Sequence, residues 1–144
     1  MPNPELGPPS NLFGYHVVIY VATSYIVSPY LENAVFSPEM KKGSVELLIL
    51  SLLDAESRHG YELGKLIESR SGGRLQFQIS SLYPVLCRME DRGWIKGRWV
   101  EKKGQRRRKY YRITSLGRET LSVKQATWLE FAESVNQVLG LGHI

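Results

Sequence analysis

A run of forty residues, 74–113, constrains the fold of this chain more than any other part of it. From residue 78 onward it contains a two-faced helical pattern, a short strand, a very basic turn and a second strand: QISSLYPVLCRMEDRGWIKGRWVEKKGQRRRKYYRI. A helix able to enter a DNA groove, followed directly by a positive β-hairpin, is typical of a winged helix-turn-helix. We therefore predict an α+β fold that is mostly α with a small β-hairpin.

The predicted helix at 80–92 has one narrow apolar stripe. Apolar side chains recur at the i, i+3, i+4 and i+7 positions Leu82, Val85, Leu86 and Met89. The opposite side, at about 100° per residue, carries Ser80, Pro84, Cys87 and Asp91, flanked by Tyr83 and Arg88. We expect Ser81 to cap this helix, Pro84 to be its third residue and Gly93 to end it.

The predicted hairpin has a strongly basic turn. Six of the eight residues at 102–109 are Lys or Arg, between a strand at 94–100 and a second strand that ends at Ile113. Such a charge run is often only a solvated turn, but its place directly after a helix of this kind favours contact with phosphates. The predicted wing, 101–109, contains the candidate DNA contacts Lys102, Lys103, Arg106, Arg107 and Arg108.

Two helices are predicted before this run. Ser44 is expected to cap the first, VELLILSLLDA, which is apolar nearly all round and must therefore be buried on several sides. The pentapeptide ESRHG is expected to form a polar turn. The second helix, 60–70, has Leu63, Leu66 and Ile67 on one face and would support the 80–92 helix.

A last helix is predicted from Thr114, its expected N-cap, to about Leu139. Its apolar positions recur in a coiled-coil-like pattern over two and a half heptads, at Leu121, Trp128, Phe131, Val135 and Val138. Such a helix packs either on its own core or on a second copy of the chain. We favour the second copy, because the first helix is also apolar all round. Residues 114–144 are therefore predicted to form a C-terminal dimerisation helix next to a DNA-binding domain at 40–113.

Residues 1–39 differ from the rest of the chain. They contain no Lys or Arg, and Pro and Gly crowd their start before an apolar run, FGYHVVIYVATSYIVSPYL. We interpret them as an N-terminal extension that is poorly ordered, loosely docked or, in the extreme case, non-native, with Met40 as the natural start in that case. The alternatives are a membrane anchor, which His16, Ser28 and Pro29 weaken, and an added strand or helix on the domain.

The charge is concentrated in the remainder. Residues 40–144 contain 19 basic and 11 acidic residues, a net charge of +8, which suits a partner with a phosphate backbone. A lone cysteine, Cys87, excludes an internal disulfide and fits a reducing cytoplasm. The three histidines lie far apart in sequence, and no nucleophile, phosphate-loop or zinc-protease motif is present. We expect no enzyme, cofactor or metal site.

Three segments of the chain resemble the PadR-like transcriptional regulators: HGYEL at 59–63, SSLYPVLCRMEDRGWI at 80–95 and RRKYYRIT at 107–114. The resemblance covers about residues 42–139, and residues 1–39 lie outside it. The short last helix with Trp128 looks like the small subgroup of this family. Ser80 stands where many members carry glycine.

The resemblance implies a homodimeric, cytoplasmic repressor that binds a roughly palindromic operator in double-stranded DNA. It also implies release by a small aromatic or drug-like effector, with no role at a membrane. The rival hypothesis is a winged-helix protein-interaction module that does not bind DNA, which an acidic wing would favour.

The candidate residues fall into two groups. On the recognition helix we expect DNA contacts from Ser80, Ser81, Tyr83, Pro84 and Arg88, with Arg88 able to contact guanine. Partial burial is the alternative for Tyr83, and an ion pair with Asp91 or Asp54 is the alternative for Arg88. On the last helix the dimer or effector residues are Leu121, Trp128, Phe131 and Val135; a plain dimer core is the alternative to an effector cavity there.

Overall fold

The computed structural model describes Phe36 and residues 38–142 of the 144-residue chain. The chain forms two compact units, one spanning Val35–Trp128 and one whose described part begins at Leu129. The predictions for residues 1–39 fall almost wholly outside the described residues. In chain order the described elements are α1 (Pro38–Lys42), α2 (Val45–Ala55), β1 (Arg58–His59), α3 (Gly60–Arg70), α4 (Ile79–Asp91), β2 (Ile95–Val100), β3 (Arg108–Ile113) and α5 (Ser115–Leu139).

The sheet has three antiparallel strands in the order β1-β3-β2. The hairpin of β2 and β3 was predicted, with Ile95 opposite Ile113 and Val100 opposite Arg108. Strand β1 was not predicted, because its segment ESRHG has the composition of a polar turn. Its Arg58 is 6% exposed and satisfied on all sides by polar groups. These are the carboxylates of Glu56 and Glu62, each at 2.8 Å, and the carbonyl of Leu52.

The core of the larger unit lies between α2, α3, α4 and the inner face of the sheet. Helix α2 buries most of its circumference, at Val45, Ile49, Leu50, Leu52 and Leu53, as its apolar sequence predicted. The largest fully buried side chains are Ile49, Leu50, Leu63, Leu82, Leu86, Met89 and Ile95. Ser44 precedes α2 as expected, but its hydroxyl donates to the Lys41 carbonyl and makes no cap.

Helix α5 begins and ends where the sequence predicted. The hydroxyl oxygen of Thr114 accepts a hydrogen bond from the Gly117 N–H at 3.0 Å, which caps the helix. Leu121, however, is 6% exposed and belongs to the core of its own chain. We expected it at a dimer seam, and that expectation is corrected: the first turns of α5 lie against the sheet and α2, so the early heptad position faces inward.

This architecture is an α+β winged helix-turn-helix fold with an added C-terminal helix, which confirms the predicted fold class. Among the helices that the structure describes, none has a stretch long and apolar enough to cross a bilayer.

Candidate nucleic-acid interface

Two glycines of α3 set the position of α4. An added Cβ at Gly60 would lie 3.3 Å from Ile79 Cδ1 and from Leu86 Cδ1, and one at Gly64 would lie 3.3 Å from Leu82 Cδ1. Because the two glycines are four residues apart, they form one small-residue face on α3. Helix α4 packs closely on this face, which turns its other side toward solvent.

Helix α4 begins earlier than predicted. It starts at Ile79 with Gln78 at the N-cap, so Ser81 lies inside the first turn and does not cap the helix. Pro84 is therefore the sixth helical residue and not the third. Since proline has no N–H, the helical bond that residue 84 would donate to the Ser80 carbonyl is missing.

The side of α4 away from the core forms the contact face, which we define as Ser80, Ser81, Tyr83, Pro84 and Arg88. All five residues are exposed. Tyr83 is 50% exposed while its ring edge lies near Gly60, so contact with α3 leaves half of this side chain accessible. Neither Asp91 nor Asp54 forms an ion pair with Arg88, which has no carboxylate partner among the described residues; Asp54 pairs with Arg118 at 3.3 Å.

The wing residues are also exposed. Lys102, Lys103 and Arg106 make no ion pair within the part of the chain that the structure describes. Arg107 lies 4.7 Å from the centre of the Trp99 ring and 3.6 Å from a Glu101 oxygen. The structure thus places Lys102, Lys103, Arg106 and Arg107 near the end of the hairpin, all four exposed and the first three without an ion pair among the described residues.

The fifth wing residue, Arg108, contacts His59 at the start of α3. The guanidinium of Arg108 lies 3.1 Å from His59 Nε2, and the ring of Tyr110 meets the imidazole edge-on at 5.3 Å. His59 also caps α3, because its Nδ1 accepts the Glu62 N–H at 3.2 Å. Burial, followed by the Arg108 charge, lowers the pKa of His59, against a raising effect of Glu62. This role was not predicted, although a polar residue directly before a helix is the usual signal.

Glu90 joins helix α4 to the hairpin of β2 and β3. Its carboxylate accepts hydrogen bonds from Lys109 Nζ at 2.9 Å and from the Gly97 N–H. The hydrogen bond from Lys109 lowers the pKa of Glu90, and the same bond raises the pKa of Lys109. The last turn of α4 and the middle of the hairpin are therefore held together by one carboxylate.

A second basic element lies beside the contact face. Lys41 and Lys42 of α1 line a groove of about 670 Å³ together with Ser81 and Arg88. Lys41 is held in place, since its Nζ donates to the Gln76 carbonyl at 2.6 Å. These two lysines were not predicted to be site residues, although a Lys-Lys pair at the start of the domain is a signal in the sequence.

The predicted dimer or effector residues on α5, other than Leu121, are accessible. Trp128 is 45% exposed, Phe131 59% and Val135 38%. They follow one another at i, i+3 and i+7 along the helix.

No group of three or more His, Cys, Asp or Glu side chains among the described residues could hold a metal ion. The chemistry that the site offers is hydrogen bonding and charge, from hydroxyls, guanidiniums and amines.

Comparison with known proteins places this arrangement in a family. The family model of the transcriptional regulator PadR-like family matches residues 49–123, which include α3, α4 and the wing. A Lysinibacillus sphaericus protein, described only as uncharacterized, is 34% identical over 95 residues, 66% of this chain and 87% of that protein.

Solved structures of transcriptional regulators are also similar to this chain. A transcriptional regulator from Clostridium thermocellum is 32% identical with a TM-score of 0.66, over 72% of this chain and 97% of its own. A PadR family transcriptional regulator from Eggerthella lenta is 26% identical with a TM-score of 0.63, over 86% and 96%. A PadR-like transcriptional regulator from Bacillus cereus is 32% identical with a TM-score of 0.60, over 70% and 96%. This chain belongs to the PadR-like family of transcriptional regulators.

Proposed function

We propose that this protein is a cytoplasmic, homodimeric repressor that binds a palindromic operator through α4 and the wing. The observation that carries the proposal is the contact face of α4, whose five side chains are all exposed and offer hydroxyls and one guanidinium. A helix of this kind reads base edges in the major groove with the side chains near its N-terminus. Arg88 has the geometry to bind guanine through two hydrogen bonds.

The wing supplies the second contact. Lys102, Lys103 and Arg106 are exposed and lack carboxylate partners among the described residues, so they can neutralise phosphates without first breaking an ion pair. Lys41 and Lys42, in the groove beside Arg88, are suited to the phosphates that flank the same major groove. We assign these cations to the backbone and the α4 side chains to the bases.

The proposed dimer uses α5 and α2. Exposed apolar side chains of α5, Trp128, Phe131 and Val135, are spaced as in a coiled-coil seam. Helix α2 adds Leu47 and Leu48, which are half-buried at the edge of the core. Two-fold symmetry would present two copies of α4 to half-sites about one helical turn apart, which requires a palindromic operator. A small aromatic effector between the subunits, near Trp128, would release the DNA.

Selection of DNA from a random pool by the purified protein tests the proposal. We expect a palindromic consensus, and a protein–DNA complex of two chains per duplex in sedimentation analysis. A pool that shows no enrichment after repeated rounds would contradict DNA reading and would favour a winged-helix module that binds proteins. An enriched sequence without two-fold symmetry would contradict the dimer while leaving DNA binding intact.

The effector and repressor parts have separate tests. Aromatic compounds that release the operator should quench the Trp fluorescence of the parent protein. The Trp128→Phe variant, whose emission comes from Trp94 and Trp99, should not be quenched. Repression requires that a reporter placed behind the selected operator is less active when the protein is present. A reporter that becomes more active would contradict the repressor role.

A further inference from the structure

The face of the sheet turned away from α4 carries a basic groove. Along the strands successive side chains point to opposite faces. Gly97 and Lys109 contact Glu90 of α4, so their neighbours lie on the other face. A groove of about 630 Å³ is present there, which we call the outer groove; it is lined mainly by Lys96, Arg98, Val100, Lys102, Tyr110 and Arg112.

No carboxylate among the described residues forms an ion pair with the cations of the outer groove. Lys96 stands directly opposite Arg112 on the neighbouring strand, and like charges in this arrangement repel one another. None of the described lining residues is acidic. The nearby carboxylates are engaged elsewhere: Glu56 binds Arg58 at 2.8 Å, and Glu101 lies 3.6 Å from Arg107. Anions that enter this groove would therefore relieve a repulsion present in the free protein.

The outer groove has the size and lining of a small-molecule site. Its volume falls within the range of about 300–1,000 Å³ that is usual for ligand pockets. Val100 and the ring of Tyr110 give it an apolar part, and the ring is held in place by its edge contact with His59. The planar guanidiniums of Arg98 and Arg112 match phosphate oxygens in pairs.

We infer that the outer groove binds a small phosphorylated molecule with at least two anionic groups, such as a diphosphate. This site is distinct from the contact face of α4, and its existence does not depend on the proposed repressor function. Lys102 belongs both to the outer groove and to the wing, so a bound polyanion would also remove a charge from the surface proposed to hold DNA. The phosphates of flanking DNA have the same chemistry, and the experiment separates the two sources.

The test uses the full chain and inorganic pyrophosphate as the probe, titrated by calorimetry at low ionic strength. Lys96→Gln with Arg112→Gln removes the opposed cations of the outer groove. Arg70→Gln with Arg74→Gln removes two exposed cations outside it and gives the same net charge. We expect the parent and the control to bind pyrophosphate, and the groove variant to bind roughly tenfold more weakly or not at all. Thermal unfolding verifies that both variants fold.

Two results would overturn the inference: no pyrophosphate binding by the parent, or the same loss of binding in both double variants. A short duplex of unrelated sequence is titrated in parallel. If the groove variant loses duplex binding while the parent ignores pyrophosphate, the groove contacts DNA backbone and the small-ligand assignment is wrong. Duplex binding without pyrophosphate binding contradicts only this inference, and pyrophosphate binding without duplex binding contradicts only the proposed DNA function.

Discussion

Glu90 Oε1 lies 2.9 Å from Lys109 Nζ, and this pair connects the last turn of α4 to β3, the middle strand of the sheet. Both side chains are partly buried, with 32% and 25% of their surface exposed. The same carboxylate also satisfies the Gly97 N–H. Its position is therefore fixed from two strands at once, which makes it the main polar link between α4 and the wing.

Glu90→Ala is expected to destabilise the fold. The substitution leaves a half-buried ammonium and a backbone N–H without their acceptor, and we expect a loss of about 1–2 kcal/mol after allowance for partial exposure. Urea unfolding measures it. The matched control is Glu68→Ala, because Glu68 lies 3.9 Å from Lys65 in an exposed pair and its removal should change little. Equal effects of the two substitutions would contradict a structural role for Glu90.

Gly117→Ala is expected to be more damaging than its helical position suggests. An added Cβ would overlap the Trp94 carbonyl oxygen and come within 2.7 Å of Ile113 Cγ1. Because the Trp94 carbonyl belongs to the backbone, it cannot move as easily as a side chain. The expected decrease in the free energy of unfolding is therefore about 2 kcal/mol, even though alanine favours helices. Gly43→Ala is the control, since nothing lies within 4 Å of its added Cβ. A melting temperature of Gly117→Ala equal to that of Gly43→Ala would show that α5 can shift.

Arg88→Ala is expected to reduce discrimination between the selected operator and unrelated DNA. If Arg88 makes two hydrogen bonds to guanine, the loss is about 1–3 kcal/mol for the operator and much smaller for other sequences. Arg92→Ala is the control one turn later, because Arg92 is engaged with Glu46 at 3.2 Å and with the Trp94 ring. Fluorescence anisotropy titrations with an operator duplex and an unrelated duplex give the ratio of the two affinities. A ratio that Arg88→Ala leaves unchanged would place Arg88 on the backbone or off the DNA.

Arg107→Ala with Arg108→Ala is expected to weaken binding to all DNA sequences. For every phosphate that is no longer neutralised, the slope of log affinity against log salt should fall by about 0.9. The exposed pair Arg70 and Arg74, both changed to Ala, controls for net charge. An unchanged slope would refute binding of phosphates by these two wing residues. Because Arg107 lies over the Trp99 ring, the free double variant should also show altered Trp emission.

The stability of the fold is expected to depend on His59 in mildly acidic solution. The pKa of His59 is lowered below its usual 6.5, so the neutral ring stabilises the folded state. This contribution is complete above pH 6.5 and is lost as the pH falls through the folded-state pKa. Protonation takes away the Nδ1 lone pair that caps α3. In unfolding measurements from pH 7.5 downward, His59→Asn should keep a cap and lose this part of the pH dependence. Identical pH profiles for the two proteins would contradict the assignment.

Much of the architecture could be predicted because strong periodicity marks it. The apolar sequence of α2, the stripe at Leu82, Val85, Leu86 and Met89, and the basic turn between two strands each indicated their element directly. The start of α5 was also predicted, because Thr114 is a cap residue that directly precedes a periodic segment. Each of these signals lies within one segment of the sequence, so it can be recognised without knowledge of the tertiary contacts.

The rest depended on contacts between distant residues. Strand β1 has only two residues, too few for any alternation, and it is a strand because β3 lies beside it and pairs Arg58 with Tyr111. Leu121 fits a heptad equally well whether it faces a partner or its own core, and only the packing of α5 decides between them. The outer groove could not be predicted from the sequence, because it depends on the register of β2 and β3, which places Lys96 directly opposite Arg112.

The close approach of α3 and α4 has a consequence for how binding preference could be altered. The glycines at 60 and 64 contact mainly Ile79, Leu82 and Leu86, which do not belong to the contact face; of the contact face, Tyr83 approaches Gly60, with its Cε1 3.5 Å from an added Cβ. Apart from Tyr83, the side chains that pack α4 on α3 therefore differ from those that α4 presents to solvent. Outward side chains other than Tyr83 could be exchanged to recognise a different base sequence while the packing of α4 on α3 is kept, whereas a methyl group added to either glycine would require the facing Cδ1 atoms to move by a few tenths of an ångström.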